Sequence, residues 1–314
     1  MWSMILKRLF RGVLTLVIVV ILIFVLLRVV PGDPAAMLAG EDAAPEQIAL
    51  IRERWGLDDP LPAQFMTYVK SLISGDAGQS FMYSTTMGDA VWSVTDLVMN
   101  RLPYTIQLAS VAICISIFAA IPIGIYTALH QGGIVDNTVT VVNFINLSFP
   151  VFFIGMIFMT VFSLWLKILP TGGTEHWYSV LLPALTLSVH FSVTLMRMTR
   201  TEVGRNLTAD YIRMCRAKGL TNRQVLWVHG LRNVAIPLVT LIGLRFGAML
   251  GGSVIVETLF RWPGIGNLLI TAVQARDYPT VQFLIPYVAL VFIVINIIVD
   301  VLYGIIDPRI QREA

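Results

Sequence analysis

The sequence predicts an all-α polytopic membrane protein with six transmembrane helices and both termini in the cytoplasm. Three observations carry that prediction. Of 314 residues, 56% are hydrophobic and 13% charged, with mean hydropathy +0.77, whereas a soluble domain carries about 25% charged residues. Several apolar stretches reach the roughly 20 residues a helix needs to cross about 30 Å of hydrocarbon. The polar segments between them are basic on one side and acidic on the other.

The first span is expected at about 10–30. Lys7, Arg8 and Arg11 precede the apolar run Gly12 to Val30, which is longer than the 7–15 residues of a signal-peptide core. Ala35-Ala36 and Ala39 leave cleavage open, and an uncleaved signal anchor over 1–30 is the expectation. Residues 31–103 are too long for a connector and read as an external helical cap. Pro45 stands at a first helical position, with Gly56 just past the end. Phe65, Tyr68, Val69, Leu72 and Ile73 recur at helical spacing as one apolar stripe. The cap either packs over its own bundle or also receives a soluble partner.

Five further spans follow at about 104–128, 138–168, 180–199, 236–257 and 282–306, within a transmembrane domain over 104–307 and before a tail at 308–314. The third is long enough to tilt or to include an interfacial end. Ends and loops on the N-terminal side hold 13 basic against 5 acidic residues, and the opposite side 8 against 13. Arg245 and Asp300 lie inside spans. The positive-inside rule places the basic side in the cytoplasm. Topology thus explains the pI of 8.9, and nucleic acid drops out as a partner in favour of membrane lipid.

Between the fourth and fifth spans lies a polar run from Tyr211 to Pro237, holding five of the 22 Lys and Arg residues. Asp210 or Thr208 can cap a helix carrying Tyr211, Arg213, Arg216, Ala217 and Lys218, and Gly219 supplies a left-handed residue to end it before Leu220. Thr221-Asn-Arg-Gln224 has the spacing of a capping box that starts a second helix toward Pro237. Coupling helices are therefore expected at about 208–233. A basic loop serving only topology is the commoner explanation, but topology alone needs no pair of capped helices. Arg213 and Arg216, three apart, put charge on one face.

Tyr211-Ile-Arg213-x-x-Arg216-Ala217-Lys218-Gly219-Leu220, followed by His229-x-Leu231-Arg232-Asn233-x-x-x-Pro237, resembles the "EAA" coupling motif of bacterial ABC-importer permeases, closest to the dipeptide/oligopeptide/nickel group. Further matches span nearly the whole chain: Pro31-Gly-Asp-Pro34, Gly75-Asp-Ala-Gly78-x-Ser80, Glu257-Thr-x-Phe-x-Trp262-Pro-Gly-x-Gly266, Arg276-Asp-Tyr-Pro279, and Asp300-x-Leu-Tyr303 with Asp307-Pro-Arg309. Cys215 departs from the usual alanine, and Arg213 stands where the wider family has glutamate. The resemblance implies a type I importer fold and a second, homologous permease subunit. It also implies two cytoplasmic ATPase subunits that carry ATP and Mg, and an external solute-binding protein. No cofactor is implied for this chain. Independently, the sequence holds no G-x-x-x-x-G-K-[ST] phosphate loop, so ATP hydrolysis is expected on another chain. Di- or oligopeptides are the expected cargo, with glutathione, a nickel chelate or another small solute as alternatives.

Gly243, Gly247 and Gly251 form two small-x-x-x-small steps on the fifth span, which allow close helix approach. Packing within the subunit and a dimer or gate contact are both open; the resemblance places this face on the translocation pathway. Arg245 on the same span is an intramembrane charge, expensive enough to suggest function. It either meets an anionic group such as a peptide carboxylate or pairs with Asp300. Trp262, Pro263 and Gly264 open an external turn and short helix leading into the sixth span. A rival from another class is an intramembrane hydrolase using His190 with Thr186, Ser188 or Ser192, but no G-x-S-x-G setting occurs. His190 reads more simply as a packing residue. No His/Cys/Asp cluster has metal-ligand spacing.

Overall fold

A computed structural model describes residues 2–29, 35, 44–54, 56–80, 82–83, 93–221 and 224–306. Pro31–Pro34, Asp307–Arg309 and the 308–314 tail lie outside them, as do the side chains of His229, Arg232 and Asp300. The described residues form helices, with α1 Trp2–Val29, α2 Pro45–Arg54, α3 Leu61–Ser74, α4 Val94–Leu129, α5 Ile134–Ser148, α6 Val151–Phe158, α7 Leu181–Leu207, α8 Asp210–Ala217, α9 Leu231–Gly252, α10 Val254–Leu259, α11 Ile265–Gln274 and α12 Tyr278–Ile306. π-Helical turns cover Met159–Trp165 and Val225–Gly230, and a 3-10 turn covers Trp177–Val180.

Five helices are long and apolar enough to cross a membrane, and α5 with the Val151–Trp165 segment makes a sixth candidate bent by 108°. The sequence shows one long span here. The break follows from Pro150, which disfavours helical backbone at the preceding residue. Phe149 accordingly sits at φ −98, ψ 136. Contacts with α7 run antiparallel along it: Asp136 meets Arg200, Asn143 meets Met196, the Phe149 backbone lies against His190, and Gly155 packs on Thr186. The contacts thus keep one order along α7 through the elbow.

The chain divides into two compact units. One comprises Leu6–Tyr104 and Pro263–Val294. Its core joins Val94, Leu97 and Val98 to Ile265, Leu268, Phe283 and Leu284, and Ile23 and Phe24 to Tyr68, Ala272 and Val281. Gly56 takes the left-handed backbone expected after α2. On α3 the predicted stripe buries Tyr68 and half-buries Phe65, Val69 and Leu72, but Ile73 is 82% exposed. Ile73 is the penultimate residue of α3, where the helix gives way to the Gly75 turn. Phe24 packs edge-on to Phe65 and stacks on Tyr68 at ring distances of 5.1 and 5.9 Å. The Tyr68 hydroxyl donates to the Gln282 carbonyl at 2.8 Å, and burial pushes its phenol pKa up.

Two of the sequence motifs meet in this unit. Asp277 is buried and precedes α12, where it accepts from the Thr280 hydroxyl (2.9 Å) and amide (3.3 Å) as an N-cap. The same carboxylate accepts from the Ser80 hydroxyl, tying Gly75–Ser80 to Arg276–Pro279.

The other unit comprises Met1–Ile5, Thr105–Trp262 and Ile295–Ala314. Its core sets Leu108, Ala109, Ala112 and Ala120 of α4 against Leu182, Ala184, Leu187, Phe191 and Leu195 of α7, with Leu238, Met249, Leu250, Val256 and Phe260 completing it. Small residues on α4 let it approach α7 closely, which is how helices gain packing where lipid gives no hydrophobic drive. Helix α7 runs to Leu207, two turns past the expected end of its span, and so delivers the chain to α8.

Candidate functional site

The polar run folds as a helix with a glycine ending, a turn and a second helix with a capped N-terminus. Helix α8 begins after Ala209, which makes no side-chain cap. Neither expected capping residue serves: Asp210 is already helical and pairs with Arg213 at 3.6 Å, while the Thr208 hydroxyl turns back to the Arg205 carbonyl at 2.9 Å, at the end of α7. At the other end, the Gly219 amide bonds the Arg216 carbonyl and the Leu220 amide bonds that of Cys215, the paired bonds of a Schellman ending. Gly219 stands at φ +81, a conformation that costs other residues about 1–2 kcal/mol. The capping box is present in both directions. The Thr221 amide donates to Gln224 Oε1 at 3.0 Å, and the Gln224 amide to Thr221 Oγ1 at 3.3 Å. The second helix does not stop at Pro237 but continues through it as α9. Proline removes one helical bond, to the Asn233 carbonyl, and Asn233 lies at an exposed position.

Helix α8 has an inward and an outward side. Ile212 is fully buried, and Tyr211 is half-buried with its hydroxyl donating to Asn206 Oδ1 and accepting from Asn233 Nδ2 at 3.0 Å. The end of α7, helix α8 and the start of α9 are thereby tied at one oxygen. Arg213, Arg216, Ala217, Lys218 and Gly219 are exposed, and Leu220 is half-buried. Tyr211 and Asn233 belong to quoted motifs, but Asn206 does not. Its only sequence signal is a polar residue one turn before Asp210.

The glycines of α9 do not form one uniform face. Gly247 is buried, and a Cβ there would lie 3.0 Å from Asn296 Oδ1 of α12, so this glycine serves packing within the subunit. Gly243 is half-buried; Gly251 is exposed, with no described atom within 4 Å of an added Cβ. Arg245 is exposed on the same helix; its expected alternative partner, the Asp300 side chain, lies outside the described residues.

Trp262 is 3% exposed and belongs to the core, and its amide donates to the Glu257 carbonyl at 2.8 Å. Pro263 is half-buried and Gly264 buried, at the start of α11. Sequence reasoning gave Glu257 no role of its own. Its carboxylate is fully buried and accepts from Thr105 and Ser253 hydroxyls, each at 2.8 Å; burial of a carboxyl requires such bonds. Around His190, the Thr186 and Ser188 hydroxyls donate to the Leu182 and Leu185 carbonyls. His190 Nδ1 is buried without a partner among the described residues.

Comparison with known proteins adds the following. Residues 120–312 match the model of the family described as "Binding-protein-dependent transport system inner membrane component". Residues 1–109 match that of its N-terminal domain. The glutathione transport system permease proteins GsiC of Escherichia coli K12 and Salmonella typhimurium are each 39% identical over 313 residues, covering 100% of both chains. An inward-facing structure of the MetNI methionine ABC transporter shares the fold, with TM-score 0.57 and 15% identity, over 67% of this chain and 96% of that one.

Proposed function

The chain belongs to the inner-membrane components of binding-protein-dependent transport systems, as a permease of an ABC importer, and from that premise we propose that its cargo is a short peptide bearing free carboxylates, glutathione first among them. The support is relatedness over the full length to permeases named for glutathione, together with Arg245. A guanidinium exposed on a membrane-spanning helix is costly against lipid, so it faces a wet pathway, where a carboxylate is its natural partner.

The single observation that carries the mechanism is the two-sidedness of α8. Its inner side is fastened to α7 and α9 through Tyr211, and its outer side offers Arg213, Arg216 and Lys218. In this reading both termini and α8 are cytoplasmic, and α8 seats in a groove of one of two ATPase subunits. ATP-driven closure of those subunits draws the α8 knobs of this chain and a second permease together. The spans then swing to open the cavity toward an external binding protein, an alternating-access motion of rigid elements. This chain supplies the lever and the pathway, and ATP and Mg stay on the partners.

The test is uptake of labelled glutathione by the reconstituted transporter, with Arg245→Gln and Arg245→Lys beside the parent. Loss of one charge-assisted bond raises the half-saturating concentration about tenfold in Arg245→Gln, with partial rescue by Arg245→Lys. Unchanged uptake kinetics in Arg245→Gln would remove the arginine from the pathway. Failure of glutathione and di- or tripeptides to compete for uptake would remove the cargo assignment.

A further inference from the structure

A cavity of about 240 Å³ opens among α4, α5 and α7 at the end of α7 nearer α8. Its chemistry is divided. Phe144, Leu147 and Met196 make an apolar wall, and Arg197 and Arg200 stand at the polar end. Asp136 holds Arg200 through Nε (2.7 Å) and Nη2 (2.8 Å). That bidentate pair fixes the guanidinium and neutralises it. Arg197 is exposed and has no acidic partner among the described residues, leaving one uncompensated positive charge at the rim.

A second observation points to a ligand. Asn143 lines the cavity at 7% exposure, and its one hydrogen bond among the described residues is a weak donation to the Met196 sulfur at 3.5 Å. A buried amide normally satisfies most of its donors and acceptors, so this one is set to bond an occupant. The apolar wall continues onto the exposed side chains of Val141, Phe144, Ile145 and Leu147, a track along a membrane helix that a free inorganic anion would not use. The volume is below the roughly 300–1,000 Å³ of sites that enclose drug-sized ligands, which suits a headgroup with its tails outside.

We propose that this cleft binds the phosphodiester headgroup of an anionic phospholipid, with Arg197 on the phosphate, Asn143 on headgroup oxygens and the acyl chains along α5. Basic pockets between membrane helices recognise anionic lipid in this way.

The full-length chain, purified in detergent with its partner subunits, is titrated with phosphatidylglycerol and with phosphatidylcholine and read by native mass spectrometry. Phosphatidylglycerol is retained in preference to phosphatidylcholine. Arg197→Ala weakens it about fivefold, roughly the effect of one basic residue at an anionic surface, while Arg197→Lys stays within about twofold. Because Arg197 is exposed, Arg197→Ala leaves thermal unfolding unchanged. Asn143→Leu weakens binding as well, but Asn143 is buried, so Arg197→Ala decides the matter. Equal retention of the two lipids, or phosphatidylglycerol binding indifferent to Arg197→Ala, overturns the assignment. Displacement of the lipid by millimolar inorganic phosphate or glutathione also overturns it, by making this a site for a free anion.

Discussion

Replacing Tyr211 with phenylalanine removes one oxygen and leaves the ring in place. That oxygen is the point where Asn206 at the end of α7 and Asn233 at the start of α9 meet α8. A hydrogen bond contributes about 0.5–1.5 kcal/mol net. Asn233 is exposed and Asn206 half-buried, so water replaces part of what is lost. The two bonds together are then worth about 1–2 kcal/mol, which lowers the ratio of fastened to loosened α8 roughly five- to thirtyfold. Ile212 remains buried, so the helix still forms and the ATPase subunits still bind. The assay measures ATP hydrolysis and substrate uptake in the same proteoliposomes. Tyr211→Phe is expected to keep most of its hydrolysis and to lose at least about threefold in uptake per ATP, with an unfolding midpoint within a few degrees of the parent. Parental uptake per ATP would refute the reasoning, because motion would then reach α7 and α9 without this fastening.

Three further outcomes follow from the geometry. Gly219→Val forces a β-branched residue into left-handed backbone at a cost of about 1–2 kcal/mol or more, and uptake should fall sharply while membrane insertion, followed by immunoblot, is unchanged. Gly247→Leu must displace Asn296 and should lower the thermal midpoint of the purified chain by overpacking of about 1–3 kcal/mol, whereas a Cβ at Gly251 has nothing within 4 Å among the described residues, so Gly251→Ala should leave that midpoint alone. Glu257→Leu takes away the 2.8 Å acceptor shared by the buried Thr105 and Ser253 hydroxyls, at about 1–3 kcal/mol in all, and the folded yield in detergent should drop accordingly.

Features governed by local backbone chemistry were legible in the sequence. The Gly219 ending, the Thr221–Gln224 box and the Gly56 turn each depend on neighbours within a few residues, and each is present. The cap assigned to Asp210 or Thr208 failed for a reason that is also local: α8 starts directly at Asp210, and the Thr208 hydroxyl already serves the end of α7. The elbow at Phe149–Pro150 was visible as a proline but was outweighed by an apolar run long enough for one span. Long-range partners were not legible. Nothing in the linear order pairs Ser80 with Asp277, Asp136 with Arg200 or Glu257 with Thr105, because those pairings depend on which helices are neighbours. For the same reason the glycine face could not be divided in advance between Gly247, where an added Cβ meets Asn296, and Gly251, where it has no neighbour within 4 Å among the described residues.

The 108° elbow between α5 and α6 also bears on how the chain is made. Around Phe149 and Pro150 the helical ladder is interrupted, and each backbone group left unbonded in hydrocarbon costs several kcal/mol. A ribosome delivering this segment to the translocon therefore releases a span that is poorly suited to lie alone in lipid. The group that lies beside the elbow, His190, is synthesised some 40 residues later, on α7. The third and fourth spans thus need to leave the translocon as a pair, and a stall between them would strand the nascent chain at its weakest point.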